Sequence, residues 1–79
     1  MSVHGRKSVL HQRFQSRLRE ERNERGWTQA DMARKLNISQ PAYAEIESGA
    51  GEPRLGTVER IAGALEIDAF ELLTEKVPA

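Results

Sequence analysis

A chain of 79 residues makes one small domain with a modest core, because short chains bury a lower fraction of their surface. It has no cysteine, which excludes disulfides and thiolate metal sites; no apolar run approaches the roughly 20 residues that span a bilayer, and MSVHGRKSVL has no apolar stretch of signal-peptide length, so a cytoplasmic protein is expected. The formal charge of zero hides an asymmetry: residues 1–35 carry nine Lys/Arg against four acids, a net of +5, and residues 36–79 carry three against eight, a net of −5.

Five helices and no strand are predicted, since no alternating apolar segment is bounded by hairpin turn residues. The first runs roughly from Ser8 or Leu10 to Arg25, with Leu10, Phe14 and Leu18 as its apolar stripe and Gly26 as a left-handed cap. Thr28 caps the second, with Asp31 in the capping-box position and Met32, Ala33 and Leu36 inward. Asn37 suits a left-handed turn, and Ile38 is a buried anchor beneath it. Ser39 caps the third helix, which turns Tyr43 and Ile46 inward and closes at Gly49. After the loop Ala50 to Arg54, punctuated by Gly51 and Pro53, a fourth helix begins near Leu55 to Thr57 and buries Val58, Ile61, Ala62 and Leu65. Gly63 within it costs about 1 kcal/mol relative to alanine. Asp68 and Glu71 box the start of a fifth helix, with Phe70, Leu72 and Leu73 apolar. Residues 13–75 form the domain, 1–12 a basic arm or helix extension, and 76–79 a frayed tail.

The bend from Asn37 to Ser39 is short enough to set the second and third helices at a steep angle and leave the third projecting. Ala33 is small where the two cross. From about Leu18 to Leu73, through RLREERNERGWTQADMARKLNISQPAYAEIESG and EPRLGTVERIAGALEIDAFELL, the chain resembles the lambda-repressor-like, or Cro/XRE-type, helix-turn-helix family. The resemblance covers about seven-tenths of the chain, with the apolar positions in register.

That resemblance implies a compact all-α domain whose third helix enters the DNA major groove. Its base-facing positions would be Gln40, Pro41, Ala44 and Glu45, with Ala42 close by. A glutamine amide matches adenine N7 and N6 as a bidentate pair, Pro41 and Ala44 offer apolar contact to a thymine methyl, and Glu45 could accept from cytosine N4 or be an ordinary exposed glutamate. Pro41 falls at the second helical position, where no intrahelical donor is lost. Thr28, Gln29, Ser39, Ser48 and Arg54 match backbone-contacting positions, with Gln29 also bracing the first recognition residue and the amides of its helix start facing a phosphate. Glu47 resembles the family glutamate that pairs with an arginine of the first helix, here Arg22, fastening the third helix to the scaffold.

Blander accounts stand beside these. Gln29 and Gln40 could be exposed residues without a partner, and the basic half could be an ordinary solvated surface. Arg6, Lys7, Arg13 and Arg17 form either such a face or an arm that follows the phosphates or enters the minor groove. Trp27 is expected at the core edge beside Met32, and Tyr43 in the core with its hydroxyl at the rim. His4 and His11 have no carboxylate or cysteine spaced for a metal, and no cofactor or enzymatic constellation is read. The expected partner is a palindromic double-stranded DNA operator, bound by a homodimer formed through the last helix (Phe70, Leu73, with Val77). A stand-alone repressor, a controller of a neighbouring gene cassette and an antitoxin bound to a toxin protein all fit, and small-molecule sensing has no domain here to serve it. The other class of reading is a protein-interaction adaptor that kept the fold and lost strong DNA binding, favoured by the zero net charge and by Glu45.

Overall fold

The computed structural model describes residues 8–74. Four α-helices, α1 (Val9–Glu24), α2 (Gln29–Leu36), α3 (Gln40–Ser48) and α4 (Leu55–Leu65), are followed by a 3-10 turn over Ala69–Leu73. No strand occurs among the described residues. None of their helices is long and apolar enough to cross a membrane. The expected arm residues Arg6 and Lys7, together with His4, Val77 and the tail 76–79, lie outside the described residues.

Local chemistry sets each boundary. The Ser8 hydroxyl accepts from the His11 amide at 3.0 Å to start α1. At α2 the box is reciprocal: the Thr28 hydroxyl accepts from the Asp31 amide at 3.0 Å and the Asp31 carboxylate from the Thr28 amide at 2.8 Å. The Ser39 hydroxyl accepts from Ala42 N–H at 3.2 Å, and Pro41 sits in the first turn of α3, where its missing N–H leaves nothing unpaired.

All four helices stop in the same way. Gly26, Asn37, Gly49 and Glu66 each adopt positive φ. The residue after each of them then donates back to a carbonyl five residues earlier: Trp27 to Arg22, Ile38 to Ala33, Ala50 to Glu45 and Ile67 to Ala62. This double closure satisfies carbonyls that a helix end otherwise leaves bare. Glu66, at φ 59, is the one terminator that its residue type did not announce.

The core is Phe14 and Leu18 of α1, Met32, Ala33 and Leu36 of α2, Tyr43 of α3, Val58, Ile61, Ala62 and Leu65 of α4, and Leu72 of the last turn. Two expectations need correction here. The buried stripe of α1 does not include Leu10, which is 55% exposed; the inward position is His11, at 7%, followed by Phe14, Gln15 and Leu18. The fifth helix is a short 3-10 segment: only five residues separate the capping Asp68 from Thr74, where the chain is already extended. Ile38 and Ile46 are partly buried and pack against the core, as does Trp27.

Arginines close the ends of several elements. Arg17 Nε donates to Glu21 Oε2 at 2.6 Å, while its Nη1 reaches the carbonyls of Glu71 and Thr74 at 2.9 and 3.3 Å. Arg25 Nη1 donates to Glu21 Oε1 and to the Glu21 carbonyl, both at 2.7 Å, and its Nη2 to the Leu65 carbonyl at 2.7 Å. One carboxylate thus orients two guanidinium groups that close the end of α4 and the last turn. Arg60 does the same for the Leu36 carbonyl at the end of α2.

Candidate nucleic-acid interface

α3 has two faces of different character. Residues advance by about 100° each along a helix, so Pro41 and Tyr43 stand roughly 160° apart around its axis. On one side Gln40 and Pro41 lie one turn from Ala44 and Glu45; Gln40, Pro41 and Glu45 are exposed, and Ala44 and its neighbour Ala42 are half-buried. On the other side Tyr43 is fully buried and Glu47 is 3% exposed.

The inner face is fastened by a hydrogen-bond cluster around Glu47. Arg22 donates in bidentate fashion, Nε to Oε2 at 2.7 Å and Nη2 to Oε1 at 2.8 Å. Its remaining Nη1 donates to the Trp27 carbonyl at 2.8 Å. The Tyr43 hydroxyl donates to Glu47 Oε2 at 2.5 Å, and Gln29 Nε2 to Oε1 at 3.2 Å. Burial pushes the Glu47 carboxyl up, yet the donors Arg22, Tyr43 and Gln29 more than offset it and hold it below the ordinary carboxylate value. The same hydrogen bond raises Arg22 further, so this is a charged pair with every lone pair in use.

Several expected residues therefore stand elsewhere than their type suggested. The Tyr43 hydroxyl is not at the rim: it lies inside, because Glu47 one turn later offers it a charged acceptor. Gln29 turns its amide nitrogen to Glu47 and braces that residue, where bracing of Gln40 was expected. Arg17 separates from the basic arm: at 8% exposure its guanidinium is taken up by Glu21 and two carbonyls of the last turn. Arg13 and Arg19 remain on the exposed side of α1. Thr28, Ser39, Ser48 and Arg54 are exposed, the first two as helix caps, Ser48 donating to the Glu45 carbonyl at 3.1 Å and Arg54 preceding α4.

Sequence reading missed Gln15, which reaches α3 from α1. Its Nε2 donates to the Glu47 carbonyl at 3.1 Å, and it is 6% exposed. A polar residue among charged neighbours carries no signal of burial. Arg17, Glu21 and Arg25 carry none either: their four-residue spacing places them along one face, as it would on a solvated surface.

A model of the Helix-turn-helix family matches residues 18–72 of this chain. The chain belongs to the helix-turn-helix family. Two relatives are phage regulators by name. The immunity repressor protein of Bacillus phage phi105 is 38% identical over 60 residues, covering 76% of this chain and 42% of that protein. The cryptic phage CTXphi transcriptional repressor RstR of Vibrio cholerae serotype O1 is 40% identical over 60 residues, covering 76% and 54%. The chain thus spans about half the length of these relatives. Among solved structures, the restriction-modification controller protein C.Esp1396I superposes with a TM-score of 0.74 at 28% identity, over 85% of this chain and 90% of that one. The family match begins at Leu18, so His11, Phe14, Gln15 and Arg17 lie before it.

Proposed function

We propose that this chain is a sequence-specific double-stranded DNA-binding transcriptional regulator that reads the major groove with the outer stripe of α3. The observation that carries the proposal is the division of that helix: Glu47 and Tyr43 are locked inward by Arg22 and Gln29, leaving Gln40, Pro41, Ala44 and Glu45 with no role in the core. A recognition helix needs this arrangement, because base-edge hydrogen bonds demand a rigidly presented side chain. Gln40 would pair with adenine, Pro41 and Ala44 with thymine methyl groups, and Glu45 with cytosine N4. Thr28, Ser39, Ser48 and Arg54, with the amides opening α2 and α3, would hold phosphates; Gln29 would join them only through the part of its amide that Glu47 does not occupy. A homodimer on a palindrome supplies the specificity one small domain lacks, and Phe70, 71% exposed on the last turn beside Leu73, is the proposed contact.

One observation favours a second reading, the adaptor. Arg17, Arg22 and Arg25 are used inside the fold, so less of the basic half is free for phosphates than its charge suggests, and Glu45 stands exposed on the outer stripe of α3. Fluorescence anisotropy on a randomised duplex pool across a salt series, followed by sequencing of the bound DNA, decides between them. The regulator gives a steep salt dependence and an enriched palindrome, and Gln40→Ala relaxes one base position per half-site by about 1–3 kcal/mol. A folded protein that binds no duplex even at low salt sinks the regulator and leaves the adaptor.

A further inference from the structure

We infer that Gln15 is a positioning residue for α3, setting the angle at which the helix is presented and through it the selectivity for DNA sequence. The inference rests on the reading of α3 as the DNA-reading helix and adds to it a residue that precedes the family match.

The Glu47 carbonyl belongs to the last turn of α3, where carbonyls have no helical partner, and Gln15 supplies its donor at 3.1 Å. The fit is close on the other side as well. A Cβ built on Gly49 would stand 2.4 to 2.6 Å from the Nε2, Cδ and Oε1 atoms of Gln15, so the side-chain amide lies directly against the Gly49 main chain. Gly49 also has φ +79, which ends α3 in the left-handed conformation. The glycine is thus required twice, once for the turn and once for the approach of Gln15.

The geometry becomes informative when Gln15 is taken together with Arg22. Arg22 holds the side chain of Glu47 and Gln15 holds its main chain. The two residues are two turns apart on α1, about 10 Å along its axis. A helix held at one point can pivot in any direction; held at two points separated along a neighbouring helix, it can turn only about the line that joins them. The attachment sits at the C-terminal end of α3 and the exposed Gln40 and Pro41 at the other. Over nine residues, a pivot of about 5° moves the far end by roughly 1 Å, more than a hydrogen bond to a base edge tolerates. Phosphate contacts, made by flexible side chains through a long-range field, are far less sensitive. Loss of Gln15 therefore falls on selectivity before it falls on affinity for DNA in general.

The test compares wild type with Gln15→Met, which keeps the volume and removes the donor, and with Gln15→Ala, which lets water reach the Glu47 carbonyl should the methionine variant not fold. Ile61→Val serves as a conservative core change on α4 that leaves Gln15 and Glu47 intact. Two quantities are read on the folded proteins: the ratio of affinities for the enriched duplex and for an unrelated duplex, and the angle between α1 and α3 from residual dipolar couplings without DNA. The expected result is a fall in the ratio of about tenfold, carried by the enriched duplex while the unrelated one changes less than about twofold, together with an altered angle; Ile61→Val leaves both unchanged. An unchanged angle overturns the positioning role whatever the DNA result. An altered angle with an unchanged ratio overturns the selectivity claim. If wild type enriches no sequence while the angle still responds, the DNA-reading proposal has failed, and the selectivity claim falls with it.

Discussion

Removing the Glu47 carboxylate tests what holds α3 in place. Glu47 accepts four hydrogen bonds, two from Arg22 and one each from Tyr43 and Gln29. With side chains 4% and 12% exposed, neither member of the ion pair can turn to water without moving α3. Glu47→Ala strands the Arg22 guanidinium and the Tyr43 hydroxyl, and breaking such a pair from one side costs about 3–5 kcal/mol. A domain of this length has on the order of 4–12 kcal/mol in total, so the variant should lose about half its stability. Replacing the cluster together, Arg22→Met with Glu47→Leu and Tyr43→Phe, leaves no buried charge and should cost less than the single alanine, with a coupling energy on the order of 2 kcal/mol. Urea unfolding followed by far-UV circular dichroism and by fluorescence of Trp27, the only tryptophan, measures each variant. A cost below about 1 kcal/mol for Glu47→Ala, or strict additivity across the set, would refute the view that this cluster fixes α3.

Two glycines, Gly63 within α4 and Gly49 capping α3, should respond in opposite directions. Gly63 is exposed within α4, with open space where an added methyl would sit, so Gly63→Ala should raise stability by about 0.5–1 kcal/mol; Gly49→Ala, with its positive φ and Gln15 in the way, should lower it by about 2 kcal/mol, both read from thermal melts. Acid should unfold the domain through Glu21 and Glu47. Burial raises both carboxyls, but Arg25 and Arg17 on Glu21, and Arg22, Tyr43 and Gln29 on Glu47, bring both below the ordinary 4.5. The unfolded chain then takes up protons first, so their contribution is full above that value and lost as pH falls through the lowered ones; stability that rose between pH 5 and 3 would contradict this. At the other extreme, burial followed by the Glu47 contact raises the Tyr43 hydroxyl far above 10.0, so phenolate absorbance from this single tyrosine should appear only with alkaline unfolding. Glu45→Lys should strengthen binding to unrelated duplexes and steepen the salt dependence by about one phosphate contact, a slope change of roughly 0.9 in the anisotropy series. An unchanged slope would place residue 45 away from DNA.

Much of the framework was legible because short-range rules decide it. Thr28 with Asp31, Asp68 with Glu71, and the left-handed Gly26, Asn37 and Gly49 act through neighbours within a turn, and the core positions of α2 and α4 repeat at helical spacing. Misreadings arose where a distant partner overrode residue type. His11 is buried and Leu10 exposed although both stand one turn before Phe14, a choice that the four-residue spacing of Leu10, Phe14 and Leu18 does not show. Arg17 reads as a surface cation until the last turn is folded against it, when two carbonyls and Glu21 claim it. The apolar content of AFELL suggested an α-helix, but five residues between the capping Asp68 and an extended Thr74 form only a short 3-10 segment.

The fate of the arginines also explains why net charge was a poor guide to the site. A guanidinium has five donors, and the end of a helix has several bare carbonyls, so a small domain with little core gains by using arginine as a terminal staple. Arg22 at Trp27, Arg25 at Leu65, Arg17 at Glu71 and Thr74, and Arg60 at Leu36 are all of this kind. The positive charge counted in the first half of the chain is therefore partly a structural material. What remains for the proposed recognition is the outer stripe of α3, where Gln40, Pro41 and Glu45 are exposed. On the proposed reading, substitutions at the exposed Gln40, Pro41 and Glu45 should change the preferred duplex while Glu47 and its donors stay in place.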